Sequence, residues 1–435
     1  MKWYSTRDND HYTDTKNAVI QGLAPDEGLY MPEEIPALRP SVLSSLSDLS
    51  LPEVSFEVAK QFFGADLSNA DLQNVVENAL DFPIPIVQMS ETNRYTLELF
   101  HGPTLAFKDV GARFMARLLS HFMQFEKERV TVLVATSGDT GSAVAQGFLD
   151  VEGIDVVLLF PDGKVSSFQE KQLSTIGKNI TALRVDGTFD DCQRMVKEAF
   201  IDEELQKQRR LTSANSINIA RLLPQSFYYF HAIGQLGGND ENVIISVPSG
   251  NFGNLTAGLI AKKMGLNVSH FIASINVNKI VPNYLQTGVF KPQPSKPTLS
   301  NAMDVGNPSN FERLMAIFGE KRDSMIEHVS GVSFTDSETI RMMGNYYEKH
   351  DYLLDPHGAV AAAGLEKVLG ATSSFDGKGL FLECAHPAKF AETVEEATGV
   401  KAEVPDHVKD MFDREDVSIA MSNQYKDFKS FLLGG

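Results

Sequence analysis

Beyond residue 83 the chain repeats one pattern: a short, continuously apolar run, then a longer stretch with apolar residues at helical spacing. The runs VTVLVA (130–135), DVVLLF (155–160) and NITALRV (179–185) alternate with helical patterns over about 109–124, 140–149, 166–176 and 189–207. A second series follows, NVIISV (242–247), HFIASI (270–275) and GLFLE (379–383), again with helical segments such as NLTAGLIAKKMG between. Uninterrupted apolar strands between amphipathic helices predict parallel sheets covered on both faces. Two such series predict two α/β domains, with a ligand in the crevice between them at the strand C-termini. The first 80 residues differ: a turn-rich GLAPDEGLYMPEEIP precedes helical stretches such as DLSLPEVSFEVAKQFF. DFPIPIVQ, with Pro83 and Pro85, reads as a connector. Segment 288–310 is rich in Pro, Ser and Asn and is expected to be a long loop, a mobile flap or, as composition favours, plain surface.

At 435 residues the chain is long enough for two or three domains. Its net charge of −18 repels phosphate backbones, which argues against nucleic acid as a partner. An anionic ligand would need a local concentration of backbone N–H groups and basic side chains. Cys192 and Cys384 form no CxxC pair, so neither a disulfide scaffold nor a cysteine-built metal site is expected, and the usage suits a reducing cytosol. The N-terminus is polar, and the longest apolar runs fall far short of the roughly 20 residues a membrane helix needs. The expectation is a cytoplasmic enzyme that does not engage membranes.

Two glycine-rich turns each follow a predicted strand and open a predicted helix. In SVPSGNFGNLTAGL, the turn Gly250-Asn251-Phe252-Gly253-Asn254 leaves N–H groups free at a helix start, where an anion is favoured. Its spacing matches neither GxGxxG nor GxxxxGK[ST]. In LVATSGDTGSAVAQ, residues Ser137, Gly138, Asp139 and Thr140 hold a similar position, with Asp139 or Thr140 as alternative helix caps. Two such turns point to a ligand with two separated anionic groups. In ELFHGPTLAFKD, Lys108 sits among Phe, Leu and Ala. Burial would lower its pKa and make it nucleophilic, as a Schiff-base lysine requires. In SANSINIARLLPQ, Ser213, Asn215, Ser216, Asn218 and Arg221 form a plausible oxyanion set, with helix capping as the plainer reading. His357 and His386 lack the neighbours of a metal site, and none is expected.

These segments, together with MKWYSTRD, GLAPDEGLYMP, TLSNAMDVGNPSN, DPHGAVA and AHPAKF, occur in one order along most of the chain. They resemble the threonine synthase family, pyridoxal-phosphate enzymes of the tryptophan-synthase-β fold type, in its long bacterial and fungal form. The resemblance implies two parallel-sheet α/β domains with the cofactor between them, plus an N-terminal extension domain. Expected boundaries are 1–82 for that extension, 83–110 with 208–435 for a large cofactor-binding domain, and 111–207 for a small one. It further implies that Lys108 holds the cofactor covalently, that Gly250 to Asn254 bind its phosphate, and that Ser137 to Thr140 receive the substrate α-carboxylate. Many relatives have Asn at the position of Asp139, so this acidic side chain must point elsewhere or act as a cap. Cys384, in LECAHPAKF, stands where the family places a hydroxyl residue against the pyridine nitrogen. Asn215, Ser216, Asn218 and Arg221 are assigned to the substrate phosphate.

The implied reaction converts O-phospho-L-homoserine and water to L-threonine and phosphate, as a carbon–oxygen lyase. Two other readings are open at this stage: a lyase with the same cofactor that stops at 2-oxobutyrate, and a non-catalytic protein that binds a phosphorylated metabolite. No heptad seam predicts a coiled-coil assembly.

Overall fold

The computed structural model describes residues 1–90, 92–124, 126, 128–371 and 375–434. Each predicted apolar run is a strand, at Val130–Ala135, Ile154–Pro161, Ile180–Asp186, Val243–Pro248, His270–Ile275 and Lys378–Glu383. Five of them are buried along their whole length or nearly so, as parallel strands with both faces covered must be.

The strands sort into two large sheets. One has six strands, in the order 329–333, 270–275, 243–248, 378–383, 94–98, 86–88, and only the last pairs antiparallel. The other has five parallel strands, in the order 419–422, 180–186, 154–161, 130–135, 210–213. In both, the chain builds outward from one strand and then returns to pair on that strand's other side. The reversal falls at Val243–Pro248 in the first sheet and at Val130–Ala135 in the second. In open α/β sheets such reversals open a crevice at the strand C-termini. Both glycine-rich turns lie there.

Sheet membership crosses the expected domain boundaries. Arg210–Ser213 and Ile419–Ser422 lie in the stretch 208–435 expected in the large domain, yet both belong to the smaller sheet. Neither is a continuous apolar run, so pattern alone hides them. The N-terminal segment also holds a three-stranded antiparallel sheet, 8–14, 2–5 and 30–32, beside its helices Leu51–Phe63 and Asn69–Ala79. Trp3 packs on Phe62 and Phe63, Phe63 lies 5.6 Å from Phe114, and Phe114 lies 5.4 Å from Phe227. That aromatic chain joins the N-terminal unit to helix Lys108–Met123, the helix that begins with the candidate lysine. Among the described residues no helix is long and apolar enough to cross a membrane.

Segment 288–310 departs from the expected surface loop. Residues 291–297 are exposed, but Ser300, Met303, Pro308 and Asn310 are buried. The cause is the turn at Gly250, whose missing side chain lets the loop press in: a Cβ there would stand 2.6 Å from Met303 Cα.

Candidate active site

Lys108 opens its helix directly after Leu105-Ala106-Phe107. Leu105 takes a left-handed backbone with φ of 59°. The turn is closed by Asp109, whose carboxylate accepts the Thr104 N–H at 2.9 Å and the Thr104 hydroxyl at 2.7 Å. Phe107 donates its N–H to the Cys384 carbonyl at 2.9 Å, so strand 378–383 delivers Cys384 beside the lysine. The Lys108 ammonium has no hydrogen-bond partner among the described residues and lies 5.9 Å from the Phe107 ring. Burial lowers its pKa; Asp139 partly restores it, while Arg221 and Lys389 push it lower still.

The first glycine-rich turn joins strand Val243–Pro248 to a helix. Phe252 is held left-handed with φ of 62°, and Gly253 starts helix Gly253–Lys263. The N–H groups of Gly250, Asn251, Phe252, Gly253 and Asn254 have no protein acceptor among the described residues. Asn254 braces the turn through Pro248 O at 2.8 Å and Ser249 Oγ at 3.0 Å. A left-handed non-glycine residue costs about 1–3 kcal/mol, a strain that concentrates where backbone must meet a ligand. A Cβ at Gly253 would come no closer than 3.5 Å to Ser216, so space is left in front of the turn. Free N–H groups, a helix start and open space fit a phosphate.

In the second turn the Thr136 hydroxyl organises the backbone, accepting the N–H groups of Gly138 at 3.0 Å and Gly141 at 2.8 Å. Ser137, Asp139 and Thr140 keep free N–H groups among the described residues. Gly138, with φ of 139°, caps the helix, so Asp139 does not. Instead the Asp139 carboxylate meets Lys389 Nζ at 2.8 Å and accepts from Gln169 Nε2 at 2.9 Å. Burial alone would raise its pKa, but Lys389 and Lys108 hold it far below the usual carboxylate range. Both residues of the pair are buried. Lys389 was invisible to pattern reading, although PAKF offers the same apolar setting that singled out Lys108.

The SANSINIAR segment divides. Asn251 Nδ2 donates to Ser216 Oγ at 2.7 Å, which sets Ser216 beside the first anion turn. Asn215 Nδ2 donates to Ala135 O at 3.1 Å, at the end of the strand that carries the second. Arg221 is buried, bonds the Ala214 carbonyl through Nη1, and leaves Nε without a partner among the described residues. Burial drops its pKa to about 10, and Asp109 offsets this only in part. A buried guanidinium without a bonded carboxylate calls for an anion. Asn218 does not belong with these. Its amide donates to Val19 O at 2.9 Å and Ser213 O at 3.1 Å, and its oxygen caps the Ala220 N–H at 2.9 Å. With both N–H groups spent, Asn218 is a helix cap tied to the N-terminal unit, and its amide has no proton left to donate to the substrate phosphate it was expected to bind.

Two further residues support Ser216. Arg313, fully buried, donates to the carbonyls of Ser216 at 3.3 Å, Ile217 at 2.7 Å and Tyr30 at 3.0 Å, and to Asn310 Oδ1 at 2.8 Å. Asn310 ends the segment 288–310 expected at the surface, and Arg313, three residues beyond it, carries no sequence signal; both are buried. Cys384 is buried, and burial beside Asp355 and Glu383 holds its thiol neutral by raising its pKa well above the ordinary value.

Three family descriptions match this chain: threonine synthase N terminus over residues 2–80, pyridoxal-phosphate dependent enzyme over 88–379, and threonine synthase, C-terminal over 358–432. The chain is 44% identical to a threonine synthase from Haemophilus influenzae over 100% of both chains. It is 42% identical to one from Escherichia coli, over 98% of this chain and 97% of the relative. The crystal structure of Escherichia coli threonine synthase superposes with a TM-score of 0.92 at 40% identity, covering 100% of both chains. A PLP-bound threonine synthase from Brucella melitensis gives 0.92 at 35% identity, covering 99% and 98%.

Proposed function

The chain belongs to the threonine synthase family, and we propose on that premise what each group at the crevice does. It is a pyridoxal-phosphate-dependent lyase that forms threonine. Its substrate is O-phospho-L-homoserine, a small molecule with a carboxylate at one end and a phosphate at the other. The carrying observation is that two turns whose N–H groups lack partners among the described residues stand each at the strand where its sheet reverses, and that the second carries Asp139 against Lys108, a half-buried lysine with no hydrogen-bond partner among the described residues.

In this reading Gly250 to Asn254 hold the cofactor phosphate and Lys108 carries the cofactor. Ser137, Gly138, Asp139 and Thr140 bind the substrate carboxylate through backbone N–H groups. Asn215, Ser216 and Arg221 receive the substrate phosphate. Bound pyridoxal phosphate supplies the electron sink that stabilises charge at the substrate Cα. With the cofactor and substrate bound, Lys108 Nζ would be the base that accepts the Cα proton; its depressed pKa favours the neutral amine that a base requires. Holding one extra proton at a time, the same amine would pass on the Cα proton before taking one from Cβ as phosphate leaves Cγ, and would return protons at Cγ and Cα, while the proton released by the adding water would leave on the phosphate. Water adds at Cβ to complete threonine. Cys384, neutral through burial, would stand against the pyridine nitrogen without fixing a proton on it.

Lys108→Ala tests the assignment. The expected outcome is loss of the covalent linkage and nearly all turnover, with cofactor still bound non-covalently. Turnover near wild type would overturn it. Threonine as the product from O-phospho-L-homoserine supports the full reaction; 2-oxobutyrate with ammonia would reduce it to elimination alone.

A further inference from the structure

The Lys389 ammonium spends its three protons on three different parts of the molecule. It donates to Thr104 O at 2.8 Å, four residues before Lys108, to Gln172 Oε1 at 2.9 Å on helix Ser167–Ser174, and it pairs with Asp139 Oδ1 at 2.8 Å. Gln172 closes the ring by donating Nε2 to the same Thr104 carbonyl at 3.0 Å. Lys389 follows a strand of the six-stranded sheet, whereas Asp139 and Gln172 belong to helices beside the five-stranded one. The bonds therefore cross the crevice at the base of the proposed site.

Asp139 Oδ1 is taken up by Lys389 and Gln169, and Oδ2 has no hydrogen-bond partner among the described residues. Without Lys389, a carboxylate would stand uncompensated in the turn proposed to receive the substrate carboxylate. With it, the turn is locally neutral, and its N–H groups remain the attractive element.

We propose that Lys389 is a positioning residue: its ion pair with Asp139 holds one carboxylate oxygen away from the substrate and keeps the charge of Asp139 beside Lys108, so that the pair sets both the protonation of Lys108 and the affinity for the substrate carboxylate. The charged and titratable groups facing Lys108 are Asp139, Arg221, Lys389 and Cys384, and two of the four form this pair. The inference rests on Lys108 carrying the cofactor.

The experiment is a pH titration of the bound cofactor's visible absorbance in the holoenzyme, with substrate KM measured beside it. Lys389→Gln removes a cation and leaves Asp139 uncompensated, so the protonated linkage at Lys108 is favoured and the midpoint rises. Asp139→Asn removes the anion and keeps Lys389 on Thr104 and Gln172, so the midpoint falls. Shifts of about one pH unit are the size expected of a charge within several ångström. KM is expected to rise about tenfold in Lys389→Gln and to recover to within about threefold in the double variant Asp139→Asn/Lys389→Gln, because the unpaired charge is gone. Single-variant midpoints that move in the same direction, or do not move, would overturn the proposal, as would a double variant no better than Lys389→Gln. Should Lys389→Gln fail to fold, the direction of the Asp139→Asn shift decides alone. Loss of the pH-dependent band from wild-type protein would instead strike the assignment of Lys108.

Discussion

The hydrogen bond from Phe107 N–H to the Cys384 carbonyl, 2.9 Å long, locks the residue before the proposed cofactor lysine to the residue proposed to face the pyridine nitrogen. The bond uses only backbone, so the Cys384 side chain can vary without moving Lys108. The thiol already lies near two buried acids, Asp355 and Glu383, and Glu383 Oε2 has no hydrogen-bond partner among the described residues.

Cys384→Thr is therefore expected to keep activity within about tenfold, or roughly 1.4 kcal/mol of barrier. Cys384→Asp places a third acid in the same buried region. It is expected to cost at least about 2 kcal/mol of stability in urea unfolding and to change the absorbance of bound cofactor. A Cys384→Asp protein with unaltered spectrum and products would mean that Cys384 is only a packing residue of the core, to which it also belongs.

The two glycines of the first anion turn are expected to respond differently to alanine. A Cβ at Gly250 would meet Met303 Cα at 2.6 Å and Ala302 O at 2.9 Å, both backbone atoms that cannot swing aside. Gly250→Ala should cost about 1–3 kcal/mol and weaken cofactor binding, since loop 298–310 must retreat. At Gly253 the nearest atom is 3.5 Å away, so Gly253→Ala should fold normally. Gly253→Asp should still release cofactor, through charge at the cradle. Equilibrium dialysis with thermal melts separates the cases; equal stability loss in the two alanine variants would contradict the geometry.

What pattern could reveal and what it could not divide along physical lines. Runs such as VTVLVA and VIISVP are legible because a strand covered on both faces must be apolar throughout. Strand Asp8–Asp14 (DNDHYTD) is mostly exposed and carries no such signal, and Arg210–Ser213 with Ile419–Ser422 are too short for one. Lys108 and the two turns stood out because their chemistry is local: a lysine among apolar residues, glycines between a strand and a helix. The role of Asp139 was not local. It depends on Lys389, 250 positions along the chain, and no window of sequence joins them. Likewise Arg313 reaches Ser216 only because the fold returns loop 298–310 to the turn at Gly250.

Asn218 and Arg221 stand three residues apart and should behave as different kinds of residue. Asn218→Ala loses a cap and a tie to Val19, and is expected to lower stability by about 1–2 kcal/mol with KM unchanged. Arg221→Lys keeps the charge but not the guanidinium fork, so KM for O-phospho-L-homoserine should rise at least about tenfold. Steady-state kinetics with urea unfolding test both. A large KM effect in Asn218→Ala would return that residue to the substrate site.

The stability of the fold near pH 5 is set by groups pulling in opposite directions. Burial lowers His231 and His386 to about 4, so the unfolded chain takes up their protons first, and their contribution is lost as pH falls from about 6.5 towards 4. Burial raises Asp109 and Asp304 to about 6, despite hydrogen bonds from Thr104 and Thr298 that favour the charged form. Those two bind protons more readily when folded, so their contribution grows as pH falls through 6 and is complete below about 4. His231 stands between the N-terminal helices and the connector, beside Leu51, Leu80 and Pro83, so its protonation acts on the seating of the N-terminal unit. Relative to wild type, His231→Gln should gain stability between pH 6.5 and 4.5, while Asp304→Asn should lose it. Each difference is expected to be about 1–2 kcal/mol after allowance for partial exposure. Urea midpoints at the two pH values give both differences directly. If the His231→Gln difference runs the same way as the Asp304→Asn difference, burial is not what sets the ionisation of at least one of them.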